Sequence, residues 1–236
     1  GALCASKLNI PVISLGIHHA CVFPPPFMNF FVSIINNRIS KIISSVIAVS
    51  EATKKTLFYK SNLLDNDKVD TVVIHHGISN KSKKITNINH EKNNNKIIEI
   101  GIISRIEEYK GHRDLIHAID KLPKNYLEKI KINIIGDGKL EEMDNLKSLI
   151  KSYDLKNIFF RGYIDKPIGD IISELDLILS LTRSFEGFGL SMLEGATMGI
   201  PIIATDVGAV EEFLDKNYSL IIKPSSPEDI KEKLIE

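Results

Sequence analysis

The sequence has no net charge: thirty lysines and arginines balance thirty aspartates and glutamates over 236 residues. Without a field of one sign, nucleic acid is not expected as a partner, and any anion site has to be local. Cysteine is scarce. Cys4 and Cys21 cannot supply a disulfide framework, which points to a reducing, cytoplasmic compartment where both thiols read as small apolar side chains. Long hydrophobic runs are missing too, since none approaches the roughly 20 residues needed to span a bilayer. The longest candidate, 27–47, is interrupted by Asn29, Asn36, Asn37, Arg38 and Lys41 and reads as an amphipathic helix running into a strand. The chain opens on Gly1, with no charged leader or long apolar run over residues 1–8, so it is expected to start partway through the first of two domains.

What is present is globular. A content of 43% hydrophobic and 25% charged residues is that of a folded chain able to bury one large core or two modest ones. Strand-like runs at 11–15, 46–49 and 72–74, with helical stretches between them, describe part of an α/β sheet. Residues 79–96 (SNKSKKITNINHEKNNNK) are polar and rich in Asn and Lys, which suits an exposed linker and places a domain boundary there. Beyond it, strand-like segments at 97–103, 131–135, 157–160, 176–180, 201–204 and 219–222 are each followed by a helical pattern. Short apolar strands alternating with helices imply parallel βαβ units, so residues 97–236 are expected to form a doubly wound, Rossmann-like domain. In such sheets ligands lie beyond the carboxyl ends of the strands.

The segment 180–211 (SLTRSFEGFGLSMLEGATMGIPIIATDVGAVE) carries the most chemistry. Gly187 and Gly189 flank Phe188 between a strand and a helix, where backbone amides can approach a ligand unobstructed. The positive end of the helix dipole there suits a phosphate. The helix is expected from about Leu190 to Gly199, with Pro201 blocking its continuation. Glu186 stands before the helix and Glu194 about one turn inside it, so two carboxylates can address one ligand. A glycine pair at a strand–helix turn and a solvated helical Glu are equally ordinary features.

The pattern Glu186-Gly187-Phe188-Gly189-Leu190, with Glu194 eight positions after Glu186 and Gly199-x-Pro201 following, resembles the E-x7-E signature of glycosyltransferase family 4, retaining enzymes of the two-domain GT-B fold. The likeness extends along the chain. Gly101 to Arg105 with Lys110-Gly111-His112 looks like the family's diphosphate loop, Ile135-Gly136-Asp137-Gly138 like its second loop and Phe160 to Tyr163 like its third. In the first half, Ala48-Val49-Ser50-Glu51 resembles a strand-end V-S-E, and His76-Gly77-Ile78 stands where Asn-Gly-Val is usual. The family's opening glycine-rich loop is absent. Gly195 replaces a more usual Ala, and Ser104 a common Gly.

The resemblance implies a GT-B fold of two Rossmann-like domains, the first incomplete: an acceptor-side part over 1–78 and a nucleotide-sugar-binding part over 97–236. It implies transfer of a sugar, with retention, from a nucleotide-diphosphate sugar to a glycan or lipid-linked acceptor. No cofactor or metal is expected, because Arg105 and Lys110 would hold the diphosphate. Fixed cations and amides there stabilise a leaving group that gains charge as the bond breaks. An exposed ion pair with the neighbouring Glu107 and Glu108 is the plainer reading of those two cations. Glu194 would accept from the ribose hydroxyls and Glu186 from hydroxyls of the donor sugar, with Gly136, Gly187, Phe188, Gly189 and Leu190 lining the donor seat. Glu186 is not assigned as a covalent nucleophile, although paired carboxylates invite that assignment.

His18 is the better match to a histidine that faces the sugar from the first domain. Its neighbour His19 points to the opposite face in an extended segment, and a structural histidine is the equal alternative. Asp65-Asn66-Asp67 spells a metal motif but sits in a polar loop and reads as a turn. His75 and His76 with His18 and His19 lack a carboxylate or Cys at ligand spacing. The Phe- and Pro-rich stretch 21–31 suits either peripheral attachment at the inner face of a membrane or a buried loop between domains. The competing functions are a module that binds nucleotide sugar without turnover and a sugar-nucleotide epimerase on the same scaffold.

Overall fold

The computed structural model describes residues 4, 7, 8, 10, 14–17, 42–60, 70–78, 96–215 and 219–236. The chain divides into two compact units, residues 1–77 with 185–188 and residues 78–184 with 189–236. His18, Cys21, the 21–31 stretch, Asp65 to Asp67 and residues 79–95 lie outside the described residues.

In the first unit three parallel strands, β1 (Ser14–Ile17), β2 (Ser45–Ala48) and β3 (Asp70–Val73), lie in that order, and helix α1 (Glu51–Lys60) connects β2 to β3. The described part of the first strand overlaps the expected 11–15 and runs two residues beyond it. Pairing with β2 runs from Ser14 against Ser45 to Ile17 against Ala48, which carries the strand across Gly16. β2 is the central strand, and Val46 and Ala48 are fully buried.

The second unit is a six-stranded parallel sheet in the order β6-β5-β4-β7-β8-β9. Its strands are β4 (Ile98–Ile103), β5 (Ile130–Ile135), β6 (Ile158–Gly162), β7 (Leu177–Ser180), β8 (Ile202–Thr205) and β9 (Ser219–Ile222). The intervening helices are α2 (His112–Asp120), α3 (Lys124–Leu127), α4 (Leu140–Ser152), α5 (Ile168–Ile172), α6 (Leu190–Thr197), α7 (Val210–Phe213) and α8 (Pro227–Ile235). Alternation along the strands builds one core on each face. Ile100, Ile102, Ile132 and Ile134 pack with Leu115, Ile119 and Leu146; on the other face Ile178, Ile202 and Ala204 pack with Ile172, Met192 and Val210. With helices covering both faces, the strands read as continuous apolar runs, and β8 is buried along its whole length.

Winding starts at β4 and proceeds outward in both directions, so the order reverses between β4 and β7. Loops leaving those two neighbours diverge and leave a crevice at their carboxyl ends. Among the described residues no helix is long and apolar enough to cross a membrane.

Among the described residues, polar side chains are buried in this sheet at Asn133, Thr205 and Ser219. Asn133 on β5 has no exposed surface; its amide donates to Glu99 Oε2 at 2.8 Å, and its Oδ1 accepts from Arg161 at 3.4 Å. Burial pushes the Glu99 carboxyl up, but hydrogen bonds from Asn133 and Lys131 outweigh it and hold the group below its ordinary range. Replacing Asn133 with Ala leaves Glu99 and Arg161 short of a partner and is expected to cost about 1–3 kcal/mol of stability. Equilibrium urea unfolding of Asn133→Ala measures this directly.

Candidate active site

The candidate residues of the second unit other than Glu194 lie in loops that follow its strands or at the start of α6. Arg105 follows β4, separated from it only by Ser104. Lys110 closes a 3-10 turn over Glu108–Lys110, and its ammonium lies 3.4 Å from Thr182 Oγ1 in the loop after β7. The two sides of the switch point are therefore bridged at this cation. The N-terminus of α6 is tied to the same edge, because Ser191 Oγ donates to the Ile103 carbonyl at the end of β4, 3.2 Å away.

Gly189 caps α6 with φ 78°, a left-handed conformation suited to glycine. Within the helix the first amides to find carbonyl partners are those of Met192 and Leu193, both on Gly189. The Leu190 and Ser191 amides thus have no helical acceptor and supply the positive end of the dipole. The Leu190 side chain is exposed. Glu194 lies in the second turn, half-buried, and burial raises its carboxyl above the ordinary value.

Gly136 follows β5 with φ 137° and sits so close to the β4 loop that a Cβ would stand 2.0 Å from the Ser104 carbonyl oxygen. Its amide donates to the Gly162 carbonyl at 2.9 Å. The structure gives Gly136 a steric task, which is to let the second loop nest against Ser104 and Arg105.

The Arg105 guanidinium forms an ion pair with Glu107 at 2.7 Å and donates to the Tyr109 hydroxyl at 2.8 Å. It lines an open cavity of about 690 Å³ whose wall also carries Glu107, Glu108, Asp137, Glu141 and Glu142. Five carboxylates against the two cations Arg105 and Lys139 make that cavity a poor seat for a diphosphate. Serving an anion at the switch point requires Arg105 to leave Glu107, a modest cost because exposed pairs contribute about 0–1 kcal/mol.

Glu186, Gly187 and Phe188 group with the first unit. The Gly187 carbonyl accepts from Ser50 Oγ at 2.8 Å and from Thr53 Oγ1 at 3.3 Å, and both hydroxyls are buried. The Phe188 ring is buried, with centroids 5.6 Å from His75 and 5.1 Å from His76. Its side chain is a packing element, leaving the backbone as the part of this turn able to face a ligand. His75 and His76 are thus ring partners, and among the described residues no group of three or more His, Cys, Asp or Glu side chains is arranged to hold a metal ion.

Sequence reasoning missed His112. This first residue of α2 is 2% exposed, and its Nε2 lies 3.4 Å from Ser104 Oγ, while Nδ1 has no hydrogen-bond partner. Burial, followed by the charge of Lys110, pushes its pKa down to about 4; the Glu107 carbonyl opposes the shift without completing a hydrogen bond to Nδ1. The motif Lys110-Gly111-His112 places this ring beside the cation, but nothing in its spelling says that the ring is buried.

The profile of the glycosyl transferases group 1 family matches residues 82–236. The chain belongs to this family. It is 31% identical over 214 residues to an uncharacterized glycosyltransferase of Methanocaldococcus jannaschii, a match covering 87% of this chain and 52% of that protein. A glycosyltransferase structure from Rickettsia africae is similar with a TM-score of 0.76 at 25% identity, covering 98% of this chain and 61% of that one. An Anabaena structure in complex with UDP and glucose gives a TM-score of 0.77 at 18% identity, covering 98% and 63%. These likenesses establish a GT-B fold of Rossmann-like units. The chain spans about half the length of the archaeal relative and about three-fifths of each of the two structures.

Two predictions follow from the ionisable groups. Because the folded state raises the Glu194 pKa, the ionised form disfavours folding at neutral pH, and stability rises as pH falls toward the raised value. Glu194→Gln is therefore expected to raise the melting temperature at pH 7, which calorimetric melting reads. For His112 the sign is opposite. The unfolded chain takes up a proton near pH 6.5 that the fold refuses until about pH 4, so roughly 3 kcal/mol of stability should drain away across that window. A His112→Gln variant, which cannot titrate, should show a flatter profile in urea melts between pH 7 and 4.

Proposed function

We propose that the protein is a retaining glycosyltransferase of family 4 that transfers a hexosyl group from a nucleotide-diphosphate sugar to a glycan or lipid-linked acceptor. The observation that carries this reading is that Lys110 reaches Thr182 across the switch point of the sheet and that Ser191, in the first turn of α6, is tied to the end of β4 at the same edge. Such a place offers a mobile ammonium, a hydroxyl and two backbone amides to one diphosphate. Arg105, released from Glu107, adds a planar fork that matches phosphate oxygens.

The chemistry follows from where charge develops. As the bond from the anomeric carbon to the β-phosphate oxygen breaks, the leaving nucleoside diphosphate becomes more negative, so the cations and amides bind the transition state more tightly than the ground state. This charge stabilisation lets the transfer proceed without a metal ion. Glu194 receives the ribose hydroxyls, and its partly desolvated carboxylate gains most when those hydroxyls supply the hydrogen bonds that water no longer does. Glu186 addresses hydroxyls of the sugar, and His18 faces the sugar from the first domain. The acceptor hydroxyl attacks from the side of the departing phosphate, which takes its proton. The setting is cytoplasmic, with peripheral attachment to the inner face of a membrane where the acceptor is lipid-linked.

Arg105→Ala and Lys110→Ala are each expected to weaken nucleoside diphosphate binding by at least ~1.5 kcal/mol, the scale of a hydrogen bond between charged groups. Isothermal titration with UDP and GDP tests the pair, and unchanged affinity in both variants would refute the phosphate assignment. Tight binding of nucleotide sugars with no transfer or hydrolysis by the full-length protein would instead identify a binding module.

A further inference from the structure

The loop after β7 carries a second cation, Arg183, that the phosphate reading leaves unused. Its Nε and Nη2 each donate to Asp114 at 2.7 Å, one to each carboxylate oxygen, and Glu108 lies 3.9 Å from Nη1. Asp114, in the first turn of α2, is 6% exposed. The hydrogen bonds it donates to Asp114 keep the guanidinium more firmly protonated than usual. A fork engaged by a buried carboxylate in this way is not available to a phosphate, so Arg183 does something other than bind an anion.

What it does is visible in its neighbours. The Arg183 backbone amide donates to the Tyr109 carbonyl at 2.7 Å, immediately before Lys110. The residue preceding Arg183, Thr182, accepts from Lys110 and is itself fixed from behind by Thr205 Oγ1, which donates to the Thr182 carbonyl at 2.6 Å. Immediately after Lys110, Gly111 lies so close to the β7 loop that a Cβ there would stand 2.1 Å from the Leu181 carbonyl oxygen. The loops that flank the switch point are thus joined on both sides of Lys110, and Arg183 with Asp114 adds a bidentate ion pair to this junction.

We infer that Arg183 is a positioning residue: its clamp on Asp114 closes the β7 loop onto the β4 loop and thereby sets Lys110 in place for the donor diphosphate. This rests on the nucleotide-sugar reading above and goes beyond it by naming the pair that preorganises the seat. A lysine on a four-carbon stem loses considerable rotamer freedom on binding, so holding its backbone and its Thr182 partner in advance lowers the cost of capture.

The test titrates the full chain with UDP, GDP, UDP-glucose and GDP-mannose, well below the melting temperature of every variant. Wild-type protein is expected to bind at least one probe. Arg183→Gln and the near-isosteric Asp114→Asn should each weaken that binding tenfold or more. Arg183→Lys keeps the charge but loses the fork, and should fall with them; it carries the test if Arg183→Gln fails to fold. In a Lys110→Ala background Arg183→Gln should change affinity less than twofold, a coupling that general loosening of the fold would not produce. Folded Arg183→Lys binding within twofold of wild type, or an equal loss with and without Lys110, overturns the clamp while leaving the donor reading intact. Failure of the wild-type chain to bind any of the four probes brings down the donor reading, and the clamp with it.

Discussion

A parallel sheet wound outward from an internal strand has one place where neighbouring connections diverge, and the second unit depends on it. Between β4 and β7 the loops leave toward opposite faces, so the gap at their carboxyl ends cannot be closed by the sheet itself. It has to be filled by loop side chains, by backbone amides or by a ligand. This chain meets the constraint with Lys110 reaching Thr182, Arg183 gripping Asp114 and Ser191 bonding to the end of β4. Both cores beneath are continuous and apolar, which makes the edge a rigid rim for these contacts.

That rim also explains why backbone approaches are so close there. Gly111 lies against Leu181 and Gly136 against Ser104, each within a distance that a Cβ would violate. The second loop nests on the first and the first on the fourth, so the cations are carried by backbone held in place by neighbouring backbone. Charge is handled locally in the same way. Arg105 rests on Glu107, Arg183 on Asp114, and burial together with the nearby charge of Lys110 keeps His112 neutral, consistent with a chain whose charges cancel overall.

The strands of the second unit were legible because period and punctuation agree: β4, β5, β7, β8 and β9 fall within one residue of their apolar runs. β6 runs on through Arg161 and Gly162, where alternation with an exposed face blurs the apolar signal. β1 extends past its apolar run to Ile17 through its register against β2, a long-range pairing that a local run cannot specify. In the site, Lys110, Gly189 and Glu194 were legible from family spacing and fall on the rim or in the helix that starts there. Arg105 was placed at the right strand end, but its tie to Glu107 and Tyr109 is a matter of rotamer that sequence does not encode. Arg183 and Asp114 are 69 positions apart, and no local pattern marks either as the other's partner. His112 was hidden for a similar reason, since its burial comes from tertiary packing.

The most direct test of the central claim, that one rim seats the donor, is hydrogen–deuterium exchange with and without a saturating nucleoside diphosphate. The account predicts new amide protection confined to residues 104–111 and 189–192, where the β4 loop and the start of α6 present their backbone. Protection confined to the carboxylate-lined cavity over 137–145, or no change at either rim segment while the nucleotide is bound, would contradict it.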